Sequence, residues 1–545
     1  MRKGQAVVIL GVNGADHVGH DAGAALVVDG HLVASVEEER LLRIKRALCR
    51  PPLHAMREVL ALAGCTISDV DVIAYPWLPE AMGVPEDDIA AMLSYWCTAM
   101  DPAATTLPEL RFVPHHAAHA WAGLAFTPPK LRRRACVIVL DGSGESTSGA
   151  CYRVAGGRLT QVWSLAQHAS VGIFYEAVTS YLGFRWGEEG KTMGLAAYGG
   201  DSLAPAVAKV APLDDRVAEA PPFTSLVSPL WRHGELREQI IAKLASEHGE
   251  LLSFSQRADV AFAAQHWLEE RILQYVAEIA DGIEALVLSG GVALNCTANS
   301  KIAAYCRDKG VALIIPPPAS DTGVALGAAV AASPEPAAVT QCESAALGRA
   351  YAPEVIGAQL RMEGLSVLPC TPGEQAEALI SKDAIGGWLE GGSEIGPRSL
   401  GNRSILARPD SALTRDRVNA LKGREPWRPL APSLTPREFA RSFPSASPSP
   451  YMLIAATYNP VTPADLEGVI HVDGTARPQV VSTDGAYHDL IVATGALLGT
   501  EAVLCTSFNR AGEPLVYTPA DAIRTAKAAQ LDFLAGDGWI TWLKD

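Results

Sequence analysis

Residues 6–13, AVVILGVN, and 22–39, AGAALVVDGHLVASVEEE, hold the pattern from which the architecture can be read. Apolar runs flank Asp29-Gly30, a pair that accepts positive φ, so the stretch reads as strand, turn, strand, tight turn, strand. The same order recurs in CVIVLDGSGE at 136–145 and GACYRVAGGRLTQVWSLAQ at 149–167, with Gly156-Gly157 at the tight turn. Hairpins are common, and chance similarity is the competing reading. A repeat of this length predicts a duplicated α/β unit with a ligand held between two lobes.

The rest of the chain fits around that repeat. Its 545 residues exceed one ordinary core, so two or three domains are expected. Hydrophobic residues make up 48% and charged residues 19%, the balance of a folded globular protein. A net charge of −15 argues against general attraction to nucleic acid or an anionic membrane, without excluding a local basic pocket. The ten cysteines are scattered with no CxxC pair, which fits reduced thiols in a cytoplasm better than a disulfide framework. The first apolar run meets Asn13, Asp16 and His17 too soon for a signal peptide or membrane span, so a first strand is expected.

Helical patterns follow in SVGIFYEAVTSYLGF, RADVAFAAQHWLEERILQYVAEIA, VALNCTANSKIAAYC and TGVALGAAVAA. ALVLSGG reads as a strand ending in Gly290-Gly291, a turn that lets backbone N–H groups approach a phosphate, or simply turns. The stretch 333–346, SPEPAAVTQCESAA, reads as a linker, with a second domain beginning near Ala352. Within it, IGGWLE and AVLCTSF read as strands.

HHAAH at 115–119 carries the most chemistry. His115 and His119 are four apart, so on a helix both imidazoles leave one face, as two ligands of one metal ion would. Asp141, after ACVIVL, and Asp321, after VALII, are the candidate carboxylates, each expected where a buried strand stops. The plainer reading is that the histidines cap or pack a helix.

From Arg398 to Arg428 the basic residues are Arg398, Arg403, Arg408, Arg415, Arg417, Lys422, Arg424 and Arg428, with few acids between them. Glycine and proline hold the segment in turns, in GPRSLGNRS and REPWRPLAP. Arginines on rigid turns suit a small polyanion, because guanidinium grips phosphate or carboxylate bidentately. Sparse aromatics make a nucleic-acid groove the weaker idea.

Taken together, GHDAGAALVVDG, VEEERLLRIKR, HHAAHA, VLDGSGE, EGKTMGLAAYG, SGGVALNCTAN, DTGVALGAA, GPRSLGNRSILARP, KGREPWRPLAP, HVDGTARPQ and TSFNRAGEPLVYTPADA make the chain resemble the O-carbamoyltransferases of nodulation-factor and antibiotic biosynthesis, which include tobramycin, cephamycin, novobiocin and bleomycin enzymes. The resemblance covers nearly the whole chain. It implies an α/β protein in two parts. Residues 1–345 would form a duplicated actin/hexokinase-like domain similar to tRNA threonylcarbamoyltransferase. Residues 352–545 would form a YrdC-like α/β domain. The second would make carbamoyl-adenylate from ATP and carbamoyl phosphate, and the first would pass the carbamoyl group to an acceptor hydroxyl. Carbamate is a poor electrophile; joining it to AMP supplies a leaving group, and the labile adenylate must be kept from water.

The resemblance also implies roles. His115, His119, Asp141 and Asp321 would hold a divalent metal, iron(II) in relatives, beside the magnesium that accompanies ATP. His20 would be the general base for the acceptor hydroxyl, against the alternative of a turn histidine bonded to Asp21. Lys45 would lie near the transferred group, or else be a surface cation. Gly290, Gly291 and Asn295 would line the nucleotide. Arg398, Lys422, Arg428, Arg477, Ser507 and Asn509 would hold carbamoyl phosphate and the ATP phosphates. Ser399 and Ala197 depart from the usual alanine and proline without touching a proposed catalytic group.

The expectation is therefore a cytoplasmic ATP-dependent O-carbamoyltransferase of secondary metabolism, with a homo-oligomer left open, acting on a hydroxyl of a sugar-bearing natural product. Its partners would be carbamoyl phosphate, ATP and that acceptor, without nucleic acid or membrane. The alternatives are a tRNA threonylcarbamoylation enzyme and a nonenzymatic, ATP-gated binding protein of the actin type.

Overall fold

The computed structural model describes residues 6–15, 19–102, 107–217, 229–250, 253–459 and 465–544, and the side chains of 229–231 are outside the description. Asp16 and His17 lie outside the described residues. The chain divides into two compact units, one of residues 1–42 and 46–344, the other of 43–45 and 345–545.

The first unit contains the duplication. Strands β1 (Val8–Asn13), β2 (Gly23–Val28), β3 (His31–Glu37), β4 (Val72–Tyr75) and β5 (Glu109–Phe112) form a sheet in the order β3-β2-β1-β4-β5. The first three are an antiparallel meander, and β4 and β5 join parallel. Strands β6 (Ala135–Leu140), β7 (Thr147–Ala155), β8 (Arg158–Ala166), β9 (Arg216–Val217), β10 (Ala285–Ser289) and β11 (Ala312–Ile314) form the second sheet, in the order β11-β10-β6-β7-β8-β9. Again a meander, β6-β7-β8, is followed by parallel β10 and β11. The two hairpin turns adopt the expected conformation, with positive φ at Asp29 and Gly30 and at Gly156 and Gly157. The two halves thus repeat one α/β plan, a meander followed by two parallel strands.

Close backbone approach joins the two halves of this unit. The helix Val324–Ala331 lies against both β1 and the helix His115–Ala125. A Cβ on Gly327 would stand 1.8 Å from the carbonyl oxygen of Ala118, and one on Gly11 would stand 1.9 Å from that of Ala325. Only residues without a side chain fit at such contacts, so the small-residue run DTGVALGAA sets how near the helices come. The long helix Phe254–Ile279 starts at a capping box, Ser253 with Gln256, and packs against the helices Val171–Tyr181, Glu189–Ala196, Ala204–Val210 and Cys296–Lys309.

The second unit is built on an eight-stranded mixed sheet. Its strands are β12 (Leu368–Pro369), β13 (Gly386–Leu389), β14 (Arg403–Ala407), β15 (Ala431–Leu434), β18 (Gln479–Val480), β19 (Ala502–Ser507), β20 (Phe533–Gly536) and β21 (Trp539–Trp542), beside a small ribbon of β16 (Ala456–Thr457) and β17 (Thr475–Ala476). Both faces are covered. Ile385, Leu389, Ile405, Leu504 and Phe508 face one apolar cluster, whereas Trp388, Leu406, Val503 and Cys505 face another with Leu379 and Leu490. Buried on both faces, these strands read as continuous apolar runs.

Two expectations fail. Asp321 does not end a strand: β11 stops at Ile314, and Asp321 opens a 3-10 turn leading into the helix Val324–Ala331. Pro316, Pro317 and Pro318 intervene, and proline has no N–H to continue a ladder. Residues 333–346 are also no free linker. Val339, Cys342 and Ala345 are buried, and the stretch is pinned to the first unit by Thr340 N–H to the Gly30 carbonyl and Cys342 N–H to the Ala125 carbonyl. Among the described residues, no helix is long and apolar enough to cross a membrane.

Candidate functional site

Each unit carries its own cluster of chemistry. In the first, the helix His115–Ala125 is nearly all buried, and His115 and His119 are fully enclosed. Its N-terminus is satisfied by Glu145, whose Oε1 accepts the backbone N–H of His115 at 2.9 Å and of Leu78 at 3.1 Å. His115 and His119 do leave one face. Their Nε2 atoms lie 3.2 Å apart. His119 Nε2 is 3.2 Å from both Asp141 Oδ2 and Asp321 Oδ1, and His115 Nε2 is 3.3 Å and 3.6 Å from the same oxygens. Four ligand atoms bonded at ~2.1 Å to one tetrahedral ion would stand about 3.4 Å apart.

Electrostatics favours a cation here. Burial opposes charge on His115, yet the Asp321 and Asp141 carboxylates raise its pKa. Burial likewise opposes charge on Asp141, but hydrogen bonds with His115 and His119 hold it well below the usual carboxylate range. Two facing imidazole nitrogens cannot both carry a proton, whereas one divalent ion satisfies all four groups. The donor set therefore fits a divalent transition metal, and His115, His119, Asp141 and Asp321 are the group of described residues with metal-ligand geometry.

The neighbouring residues orient this cluster. Gly291 donates its backbone N–H to Asp141 Oδ1 at 3.0 Å, and Gly290 at φ 87° brings that turn against the Leu140 carbonyl, where a Cβ would clash at 2.2 Å. Trp77 stacks on His115 with ring centroids 3.9 Å apart, and its indole N–H reaches Asn13 Oδ1 at 3.3 Å. Asn13 Nδ2 donates to the Asp21 carbonyl at 3.1 Å, bracing the turn that carries His20. His20 Nδ1 bonds Asp21 Oδ2 at 2.9 Å, and Nε2 lies 3.8 Å from Asp321 Oδ2. Burial works against the charged ring, but the Asp21 hydrogen bond and the Asp21 and Asp321 charges raise its pKa to about 8. Trp186 meets the ring edge-on at 4.9 Å, with the Arg46 guanidinium on its face at 4.0 Å. Asn295 caps the helix Cys296–Lys309 by accepting the Ala298 N–H, and its amide is paired with Gln265.

In the second unit the basic run sorts into two groups. Arg403 is buried and donates to the carbonyls of Glu390, Gly391, Asn402, Tyr517 and Arg349. Arg408 pairs with Asp410, Arg415 with Asp416 and Arg417 with Asp383. These four are occupied in holding the fold. The others crowd together, with the Glu425 carboxylate 3.9 Å from Arg428. Burial and the charges of Arg428, Arg477 and Arg398 hold Arg424 well below the usual arginine range. The Nε atoms of Arg424 and Arg477 are buried without a hydrogen-bond partner among the described residues. Lys422 Nζ donates to the Ser507 carbonyl, to Ser507 Oγ at 3.3 Å and to Asn509 Oδ1 at 3.1 Å. Burial and the charges of Arg424, Lys45 and Arg428 hold its ammonium well below the usual lysine range. Lys45 is exposed and groups with this unit rather than with the histidine cluster.

Sequence reasoning left Arg424 out of the binding set. The signal was present in the paired spacing Lys422-Gly-Arg424 and Ser507-Phe-Asn509, which the fold brings together at the end of β19. Trp77, Trp186 and Glu145 were also missed. The two tryptophans lie in segments with no motif of their own, whereas Glu145 closes the VLDGSGE motif.

Two family descriptions match this chain: carbamoyltransferase N-terminus over residues 91–330 and carbamoyltransferase C-terminus over 376–542. The chain belongs to the carbamoyltransferase family. Among particular relatives, it is 32% identical to nodulation protein NolNO of Sinorhizobium fredii, over 94% of this chain and 78% of that protein. It is 29% identical to the 3'-hydroxymethylcephem-O-carbamoyltransferase of Amycolatopsis lactamdurans, over 96% of this chain and 97% of that one. Likeness to solved structures is distant: full-length HypF in its phosphate- and nucleotide-bound form matches 60% of this chain and 55% of its own at 12% identity, with a TM-score of 0.31.

Proposed function

We propose that this carbamoyltransferase is an ATP-dependent O-carbamoyltransferase that works through carbamoyl-adenylate and modifies a hydroxyl, on a sugar, of a natural product. The observation that carries this reading is Arg424, buried among the charges of Arg428, Arg477 and Arg398, which outnumber the neighbouring Glu425 carboxylate; such an excess of positive charge calls for a polyanionic ligand. Carbamoyl phosphate and the ATP triphosphate are such ligands. There, water cleaves carbamoyl phosphate into carbamate and inorganic phosphate, and a carbamate oxygen then displaces pyrophosphate from the α-phosphorus of ATP. Ser507 and Asn509, fixed by Lys422, present polar atoms beside the arginines. Lys45 adds its charge at this end.

Transfer belongs to the first unit. The acceptor oxygen attacks the carbamoyl carbon, its proton passes to His20 Nε2, and AMP leaves with the bonding electrons. Asp21 fixes the ring by its bond to Nδ1. A divalent ion held by His115, His119, Asp141 and Asp321, iron(II) on this reading, supplies positive charge for the leaving phosphate when bound. Gly290 and Gly291 keep the turn open beside Asp141, and Asn295 shapes the helix start that follows.

Incubation of the full chain with ATP, magnesium and carbamoyl phosphate tests this directly. Pyrophosphate release that depends on carbamoyl phosphate is expected, followed by gain of a carbamoyl group in mass spectra of a panel of glycosylated natural products. No release sinks the reading in favour of an ATP-gated binding protein. Modification of tRNA with threonine and bicarbonate in place of carbamoyl phosphate favours the tRNA enzyme instead.

A further inference from the structure

A strained arginine holds the turn that carries His20. Arg46 stands in the 3-10 turn Lys45–Ala47 with φ 62° and ψ 0°, the left-handed region that residues with a side chain disfavour. Ala47, Cys49 and Asp21 also have positive φ. Strain of this kind persists only where the surroundings over-determine it. Arg46 donates its backbone N–H to Glu39 Oε2 at 2.6 Å, and its carbonyl accepts the Asp21 N–H at 2.7 Å. Cys49 donates its backbone N–H to the Gly19 carbonyl at 3.1 Å. The Arg46 guanidinium lies on the Trp186 ring at 4.0 Å, and Gly187 leaves room for it: a Cβ there would stand 2.6 Å from Arg46 Cζ. Trp186 in turn meets the His20 ring edge-on. One residue therefore brackets His20 twice, through the backbone of Asp21 and through an indole.

Glu39 is the fixed end of this arrangement. It is buried in the first turn of the helix Glu38–Leu42. Its Oε1 pairs with Arg40 Nη1 at 3.1 Å, and Arg40 Nη2 pairs with Glu37 Oε2 at 2.8 Å. A backbone N–H given to a buried carboxylate makes a charge-assisted bond, stronger than one between neutral groups. We propose that Glu39 is a positioning residue for His20, acting through the left-handed conformation of Arg46. Released from Glu39, Arg46 relaxes toward negative φ, and its carbonyl turns away from Asp21. The Asp21 carboxylate, which holds Nδ1 of His20, then loses its own support. The proposal rests on the reading of His20 as the base that takes the acceptor proton, and it adds what aims Nε2 at the space beside Asp321. It also accounts for a buried carboxylate that neither the metal cluster nor the arginine cluster uses.

The test uses the full chain, synthetic carbamoyl-adenylate and the pooled panel of glycosylated natural products, with transfer read as AMP release and folding checked by thermal melting. Glu39→Ala should lower kcat by about tenfold to a hundredfold, the scale on which a misplaced reacting group is felt, and leave KM for the adenylate unchanged. In His20→Ala the same substitution should cost nothing further, because no base remains to be positioned. Arg46→Gly and Arg46→Val both lose the guanidinium and keep the carbonyl, but only glycine takes positive φ without strain. The valine variant should therefore be slower than the glycine variant by about tenfold. Arg46 is half-buried on a turn, so this pair decides the matter even where Glu39→Ala fails to fold. Equal rates for glycine and valine, or an additive loss in His20→Ala, mark a merely structural role and overturn the proposal. A wild-type rate in Glu39→Ala beside slow transfer in His20→Ala overturns the proposal alone. A normal rate in His20→Ala, or no transfer by the wild type, overturns the reading of His20 as well.

Discussion

His20 Nε2 and Asp321 Oδ2 stand 3.8 Å apart, so the candidate base and a candidate metal ligand share one small space although 300 residues separate them in sequence. The other ring nitrogen of His20 is committed to Asp21. Only Nε2 is left to meet an acceptor.

This geometry makes the two halves of the reaction separable. His20→Ala should transfer carbamoyl from synthetic carbamoyl-adenylate roughly a hundredfold to ten-thousandfold more slowly, the usual effect of losing a general base. Carbamoyl-phosphate-dependent pyrophosphate release should persist, because the arginine cluster lies in the other unit. A normal transfer rate in this variant removes His20 from the mechanism.

The metal cluster makes a stoichiometric claim. Full-length protein should bind one divalent ion, and His119→Ala or Asp321→Asn should lose most of it. Chelation should lower the melting temperature, since the ligands come from a helix, a strand end and a turn that only folding assembles. Elemental analysis decides the point; full metal content in His119→Ala is the contrary result.

Arg424 should matter as much as the arginines recognised from motifs. Arg424→Met and Arg477→Met should each reduce pyrophosphate release by at least tenfold, since each removes a charge-assisted contact to phosphate. Arg417→Met, which loses its pairs with Asp383 and Asp532, should change it less than twofold. Equal effects at all three positions would contradict the division of the basic run.

Acid should loosen the helix Pro229–His248. Burial works against the Glu176 carboxylate, but His233 and Arg237 outweigh it and hold its pKa below the ordinary value. A carboxyl depressed in the folded state stabilises above its unfolded pKa, and that contribution fades as pH falls through the folded value. The melting temperature of the wild type should therefore drop more steeply than that of Glu176→Gln as pH falls below about 4.3. Parallel curves for the two proteins would show that this pairing contributes nothing.

Gly327 tests the packing that brings the cluster together. Gly327→Val places atoms where the Ala118 carbonyl already stands, 1.8 Å from an ideal Cβ. Overpacking of this kind costs about 1–3 kcal/mol or more, and the helices must part to relieve it. Chemical denaturation should show the loss, together with weaker metal binding, because Ala118 is adjacent to His119 on the displaced helix.

Much was legible along the chain because local rules govern it. The tight turns at Asp29-Gly30 and Gly156-Gly157, the alternation of strand and turn, and the HxxxH spacing are short-range properties, and the fold reproduces each of them. The pairing of His115 and His119 on one face follows from helical geometry alone. The sequence by itself thus determined the duplicated α/β plan and which residue types could carry the chemistry. Tertiary structure decided which of them do. The basic run looked uniform, yet only folding could show that Arg403, Arg408, Arg415 and Arg417 are occupied by carbonyls and acids, while Arg424 is buried among like charges. Asp321 reaches the histidines from a turn after three prolines, and His233 reaches Ser143 across 90 residues. Such encounters depend on which elements pack together, and packing is set by the whole set of apolar faces and glycine contacts that no local stretch contains.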